Sequence, residues 1–496
     1  MGMKDGKLIH LLSEIDESEL KILIKFAKSP YHNTNKLIVL LLQKMLSYHP
    51  DFNHKKLTKE HLYHSIHPEG KSYHEGRMNL LMTNLVSVVQ EFYMYQEFQK
   101  DKILQRRLKG KAYSNRNLYK NYKKEVKSVL VDLEKSPYRE EDYFFQKYDV
   151  QQEFFFHVET PTGHDGAVFL YDSMDSLDKF YMTAKLTLAA EQITMTKKLK
   201  ASSEIKFLDE IQNHLEKEEE NAIPTIINIY HKFLKIRQTG HSQKYYDELK
   251  DLLLGNLNSI ELLKQKLIYY NLINHGINLL NQNKLEIRPQ VLSLYKLGLE
   301  QNYIINNNKI TSVTYLNIIT SASKLGEFAW GKFFIENNKK FLPKEEEHSV
   351  YLMASALWNQ HKGNQENYKH FYTSLELLRE VKYNKKLFFI FILSRTLWIR
   401  TCYDLLKNDD SYYFTLIDYI RNFDAQLRKD KVLTVERRQP YFSFLFFIKK
   451  IVKIFKKKEM KIDKINELMI EVNQSSRMVS KLWILQKLEE LRVKFL

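Results

Sequence analysis

Apolar residues recur along this chain at intervals of three and four, the spacing of helices that bury one face. Ser18 to Lys28 carries that period and stops at Ser29-Pro30, because proline disfavours helix in the residue before it. Asn35 opens a second helix, Leu37 to Tyr48, closed by Pro50. Thr58 is placed to cap a short helix through Ser65, its hydroxyl accepting from a first-turn N–H. A long helix from about Ser72 to Glu97 is predicted to turn Leu80, Leu81, Leu85, Val88 and Val89 inward. These elements predict an N-terminal helical module over residues 1–135. Long helices continue through 136–221, with one clear break at 157–166. Pro161, Gly163 and Gly166 crowd together there, which predicts an exposed loop. The following helix contains Leu177, Phe180, Tyr181, Ala184 and Leu188. Glu216 to Glu220 reads as a solvated helix end before the break at Pro224.

From residue 222 the pattern becomes repetitive. Glycines at 240, 276, 326 and 363 each follow an apolar-periodic stretch and precede another. The longest interval holds Asn306-Asn307-Asn308-Lys309, which reads as a loop insertion. Tyr315 to Lys324 is predicted as one helix, Leu325-Gly326-Glu327 as a turn and Phe328 to Phe341 as the returning helix. The next pair is Val350 to Gln360 and Tyr368 to Leu378, joined through Lys362-Gly363-Asn364. Small residues such as Ala354 and Ala356 would let helices approach closely. A recurrence of roughly 34–40 residues marks stacked helical hairpins. Leu325-Gly326 and the late Pro343 resemble the corresponding positions of tetratricopeptide-type repeats, and the resemblance covers about residues 222–410. It implies a superhelical surface that binds peptides or partner proteins, usually without catalysis. The expected fold is all-α: an N-terminal helical module, connecting helices, and an α-solenoid of stacked hairpins over 222–496 with a basic C-terminal helical cap.

Composition supports helix over strand. The 496 residues include only 14 Gly and 9 Pro, too few for the turns of a sandwich or barrel of this length. The single cysteine, Cys402, excludes an intramolecular disulfide and a thiolate zinc cage. Apolar runs such as Leu387 to Leu393 and Phe444 to Ile448 fall far short of the ~20 residues of a membrane span. The first residues lack the apolar core of a signal peptide, so a cytoplasmic setting is expected.

Charge adds a layout. The net +17 lies entirely in two windows. Residues 100–127 carry a net +9 and residues 421–460 a net +8, and the remainder balances. In the first, Lys120, Lys123, Lys124 and Lys127 share one helical face opposite Leu118, Tyr122 and Val126. In the second, Lys449, Lys450, Lys453, Lys456 and Lys457 project away from the apolar stripe Phe444, Ile448, Ile451 and Phe455. Such faces are ordinarily solvated, and they also suit weak, sequence-independent contact with nucleic-acid phosphates. Tyr113, Tyr119 and Tyr122 interleave the first window, either as base-stacking groups or as core residues.

Motifs that carry chemistry are few. GxGxxG, GxxxxGK[ST] and GxSxG do not occur, and His74-Glu75 lacks the second histidine of HExxH. Arg237 and His241 stand one residue too close for the Arg-x4-6-His pattern of HEPN nucleases. His61, His64 and His67 recur every third residue, and His157, Glu159, His164 and Asp165 sit on one loop. Both groups have ligand chemistry without a recognisable supporting set. No catalytic, cofactor-binding or metal-ligating residue is therefore assigned. The sequence points to a scaffold or adaptor for a protein or peptide partner, with a nucleic-acid-associated or regulatory role through the basic patches as the alternative.

Overall fold

The computed structural model describes residues 6–158, 160, 163–199, 204–240, 242–363, 367–382, 387–430, 432–456, 462–475 and 477–495. The protein is all-α, with 23 α-helices and no strand among the described residues. The chain forms two compact units, Met1–Lys185 and Leu186–Leu496.

The first unit contains α1 (Lys7–Ser13), α2 (Glu17–Lys28), α3 (Lys36–Leu46), α4 (Lys59–Ile66) and α5 (Glu75–Lys100), followed by α6 (Lys102–Ser114), α7 (Tyr119–Lys135), α8 (Glu141–Phe155) and the start of α9 (His164–Leu199). Helices α1 to α5 close around one core that includes Leu12, Leu23, Leu41, Leu42, Tyr63 and Phe92. Their starts are set by side-chain caps. The Asp16 carboxylate accepts from the Ser18 and Glu19 N–H groups at 2.8 and 2.9 Å. Asn35 accepts from the Leu37 N–H and Thr58 from the His61 N–H, as their positions predicted. Helix α1 precedes the first helix read from sequence, and it forms because Leu8, Ile9 and Leu12 reach the core within two turns.

Two expectations need correction here. Leu80 points outward, 61% exposed, because it lies about 100° around α5 from the buried Leu81. The loop at 157–166 is shorter than expected: Gly163 adopts φ +85°, which glycine tolerates, and α9 begins at His164, making Gly166 helical. Helix α9 also inverts the usual pattern. Ser173, Ser176 and Thr183 are buried, while Tyr171, Met174 and Leu188 are exposed.

The second unit contains the end of α9, then α10 (Leu208–Leu215), α11 (Thr225–Gln238), α12 (Gln243–Gly255), α13 (Leu262–Asn281), α14 (Arg288–Glu300), α15 (Ser312–Lys324), α16 (Phe328–Asn338), α17 (Glu347–Lys362), α18 (Lys369–Glu380), α19 (Phe388–Leu406), α20 (Tyr412–Lys429), α21 (Val435–Lys456), α22 (Ile462–Gln474) and α23 (Lys481–Phe495). From α11 to α21 each helix packs on the next, and α17 also packs on α15 and α19. Gly240 and Gly326 turn the chain at φ +68° and +75°. The asparagine run forms a tight reversal in which Asn306 and Lys309 exchange backbone hydrogen bonds and Asn307 and Asn308 take positive φ. Gly276 is not a turn. It lies inside α13, where Tyr246 and Val291 approach so closely that a Cβ would sit 2.9 Å from the tyrosine oxygen and 2.6 Å from a valine methyl. The joins expected near 135 and 221 fall at the end of α7 and in a 3₁₀ turn over Glu220–Ala222.

Candidate functional site

Helix α19 is almost wholly buried, yet it carries Arg400 and Asp404 one turn apart among apolar neighbours. A buried charge is costly unless it is paired and hydrogen-bonded. Asp404, with its side chain 9% exposed, is met by Lys487 of α23, 7% exposed, at 2.9 Å. Lys487 also contacts Glu490 at 3.0 Å. Lys407 bonds Glu490 and lies 3.8 Å from Asp404. Two carboxylates and two ammonium groups thus neutralise one another. Burial alone would lower the Lys487 pKa, but Asp404 and Glu490 outweigh it and hold the ammonium above its usual value. Burial likewise opposes ionisation of Glu490, and the two lysines overcome it and hold the carboxyl below its usual value. Lys407 is pushed down, chiefly by burial and also by Lys487, despite its bond to Glu490.

A cavity of about 870 Å³ opens over this quartet. Its walls include Tyr368, Phe371, Tyr403, Phe455 and Trp483, with Gln360, His361 and Arg400 among the polar groups. The Gln360 amide donates to Asp404 at 3.3 Å and accepts from Arg400 at 3.4 Å, linking the quartet to the guanidinium. Arg400 also lies 5.6 Å from the centre of a Trp483 ring. Its Nε is buried and has no hydrogen-bond partner.

Two further cations, Lys324 and Arg288, are not among the residues that line the cavity, and Lys324 interacts electrostatically with Arg400. Burial pushes the Arg400 pKa down to about 10. Lys324, the last residue of α15, is pushed down to about 8 by the surrounding protein first and then by Arg288 and Arg400. Lys324 is exposed. Burial and the same three cations push His361 down to about 3, so its ring is neutral at neutral pH. Among the described residues neither Arg288 nor Lys324 has an ion-pair partner within 4.0 Å.

The lysines singled out from sequence lie elsewhere. In the first unit Lys120, Lys124 and Lys127 are exposed and Lys123 is half-buried, while Tyr122 and Val126 are buried beneath them. Leu118, expected on the covered side, is exposed at the helix start. Part of the window's charge is satisfied internally, since Arg106 pairs with Asp132 at 2.8 Å and Arg107 with Asp149. Tyr122 packs 4.3 Å from the His157 ring, and burial pushes its phenol up to about 12. In the second unit Lys449 lies 3.9 Å from Asp424, Lys450 2.7 Å from Glu471, and Lys456 4.0 Å from the centre of the Tyr413 ring. Lys453 is exposed, and Lys457 is outside the described residues.

The histidines separate. His61 and His64 are exposed, whereas His67 stacks on Tyr63 at 4.0 Å and bonds its carbonyl. His157 lies 3.0 Å from the Ser114 hydroxyl, and His164 opens α9. Glu159 and His241 are outside the described residues, as is the Asp165 side chain. Among the described residues no three His, Cys, Asp or Glu side chains converge as a metal site, and no helix is long and apolar enough to cross a membrane.

No family model, curated protein or solved structure matches this chain.

Proposed function

We propose that this protein is a non-catalytic adaptor whose second unit binds an extended segment of a partner protein, in a cytoplasmic setting. The observation that supports this most is the cavity of about 870 Å³ beside α17, α19 and α23. Its aromatic walls suit apolar side chains, and its polar floor supplies orientation, the usual division of labour in a recognition groove. The packing of each helix on the next from α11 to α21 is consistent with hairpins of tetratricopeptide type, stacked as a solenoid over about 222–410. A non-catalytic role agrees with the quartet, whose charges are committed to one another rather than held ready for proton transfer.

The test is affinity capture from the native host with the full chain, with and without nuclease, beside Trp483→Ala and Tyr368→Ala variants. Adaptor function requires a nuclease-resistant partner that both variants lose. The alternative, a nucleic-acid-associated role, draws on the exposed Lys120, Lys124, Lys127 and Lys453. Capture abolished by nuclease and indifferent to the cavity variants would establish it in place of the adaptor.

A further inference from the structure

We infer that the exposed face of α9 is a coiled-coil seam on which two copies of this chain associate, with the two α9 helices antiparallel. The inference goes beyond the adaptor reading and makes no use of the cavity.

One side of α9 is taken by α8. The Ser176 hydroxyl donates to the Gln151 amide oxygen at 3.2 Å, and the Phe169 and Phe180 ring centres lie 4.7 Å from Phe154 and 5.2 Å from Phe145. Roughly 100° further round the helix a second apolar line is left bare. Leu170, Met174, Leu177, Tyr181 and Ala184 follow one another at steps of four and three. The same alternation runs on through Leu188, Glu191 and Met195. Met174 is 57% exposed and Leu188 67%, while Leu170 and Ala184 are half-buried. Apolar steps of four and three sustained over more than three heptads are the repeat of a supercoiled helix pair, in which each such residue packs into a facing helix. The line runs for about 39 Å at the usual helical rise. A continuous exposed apolar line of that length marks an association surface.

Charge selects the occupant and its direction. With Met174, Tyr181 and Leu188 at a positions and Leu177 and Ala184 at d, the e positions are Tyr171, Asp178, Lys185 and Gln192. The g positions are Ser173, Phe180 and Thr187. In a parallel pair e meets g of the other helix, and no g position here carries a charge. In an antiparallel pair e meets e, so Asp178 of one copy faces Lys185 of the other, and the two-fold axis repeats the contact. Asp175 and Lys179 already pair with each other at 2.7 Å, whereas Asp178 and Lys185 have no ion-pair partner among the described residues. The same register sets Tyr181 against Ala184 of the other copy, large against small, and Leu177 against Leu188. Glu191 is exposed and falls opposite Met174, away from the centre, and a single polar residue in a seam fixes register at some cost in stability. The face is thus complementary to itself, which is what a two-fold interface requires.

Sedimentation velocity on the full chain tests this. The parent is expected to dimerise as its concentration rises. Asp178→Lys and Lys185→Asp each bring like charges together twice, and each is expected to weaken dimerisation by about tenfold. Mixed in equal amounts, the two variants are expected to associate with each other as the parent does with itself, because each charge then meets its opposite. Leu177→Lys is expected to leave a monomer. All three positions reach solvent, so the variants remain folded, and circular dichroism confirms that. A parent that stays monomeric at high micromolar concentration overturns the inference and leaves the seam to a different protein. A dimer untouched by Leu177→Lys also overturns it, because association then uses another face. Charge variants that dimerise like the parent, or a mixture that stays monomeric, overturn the antiparallel pairing.

Discussion

Gly276→Ala sets helix propensity against packing, and the structure decides the winner. Alanine inside a helix is favoured over glycine by about 1 kcal/mol. At this position the new Cβ would lie 2.6 Å from a Val291 methyl and 2.9 Å from the Tyr246 hydroxyl oxygen, where carbon–carbon contact is optimal near 3.5–4.0 Å. Val291 and Tyr246 are both fully buried, so neither has space to swing aside. Relief must come from strained rotamers or from α12 and α14 moving off α13, an overpacking cost of about 1–3 kcal/mol. The net expectation is a destabilisation of up to about 2 kcal/mol. Gly255→Ala is the internal control: it ends α12 with nothing within 4 Å, and a gain of about 0.4–1 kcal/mol is expected. All four tryptophans lie in the second unit, so urea unfolding followed by tryptophan fluorescence isolates its transition. Val291→Ala is expected to cost less in the Gly276→Ala background than in the parent, because it opens room for the added methyl. A Gly276→Ala protein as stable as the parent, with no such coupling, would refute the close approach.

Three further outcomes follow from the charged groups. Lys487→Met strands Asp404 in the core and is expected to cost about 3–5 kcal/mol, whereas Asp404→Leu combined with Lys487→Met restores most of it; a double variant no better than the sum of the singles, on the same fluorescence transition, contradicts the quartet. Glu490 is held below its ordinary value of 4.5, so its contribution is present above pH 4.5 and lost as pH falls through the lowered value; Glu490→Gln should flatten that part of the acid dependence of stability. Nucleic-acid binding through the first patch is expected to be weak, and replacing Lys120, Lys123, Lys124 and Lys127 by Gln should reduce its log–log salt slope by up to about 4; an unchanged slope in filter binding marks a solvated face.

Much of the helix pattern was legible because its causes are local. The apolar period and the caps at Asn35 and Thr58 act within a turn of the residues they order, and those helices begin where the sequence placed them. The misreadings share a different cause. Gly276 looks like a turn glycine, but the reason for glycine there is contributed by Tyr246 and Val291, 30 and 15 residues away in the chain and adjacent only in the fold. Leu80 reads as inward because it stands in the apolar run Leu80-Leu81-Met82; three consecutive positions cannot all face one side of a helix, and only the packed neighbours decide which is left out.

The candidate site was illegible for the same reason, made stronger by charge. Composition locates lysines but not their partners, so Lys450 beside Glu471 and Lys449 beside Asp424 read as an open basic face when each is engaged. Arg288, Lys324 and Arg400 lie outside both basic windows, and only the fold of α14, α15 and α19 lets them interact. The one local trace is Arg400 and Asp404 standing a turn apart inside the long apolar helix α19. A charge at such a position costs several kcal/mol unless something distant answers it. Asp404 is answered by Lys487, 83 residues later, and Arg400 has no carboxylate of its own. Arg400 instead bonds the Gln360 amide, which also donates to Asp404, so the two charges of α19 are answered from α17 and α23, by residues that no local pattern relates to them.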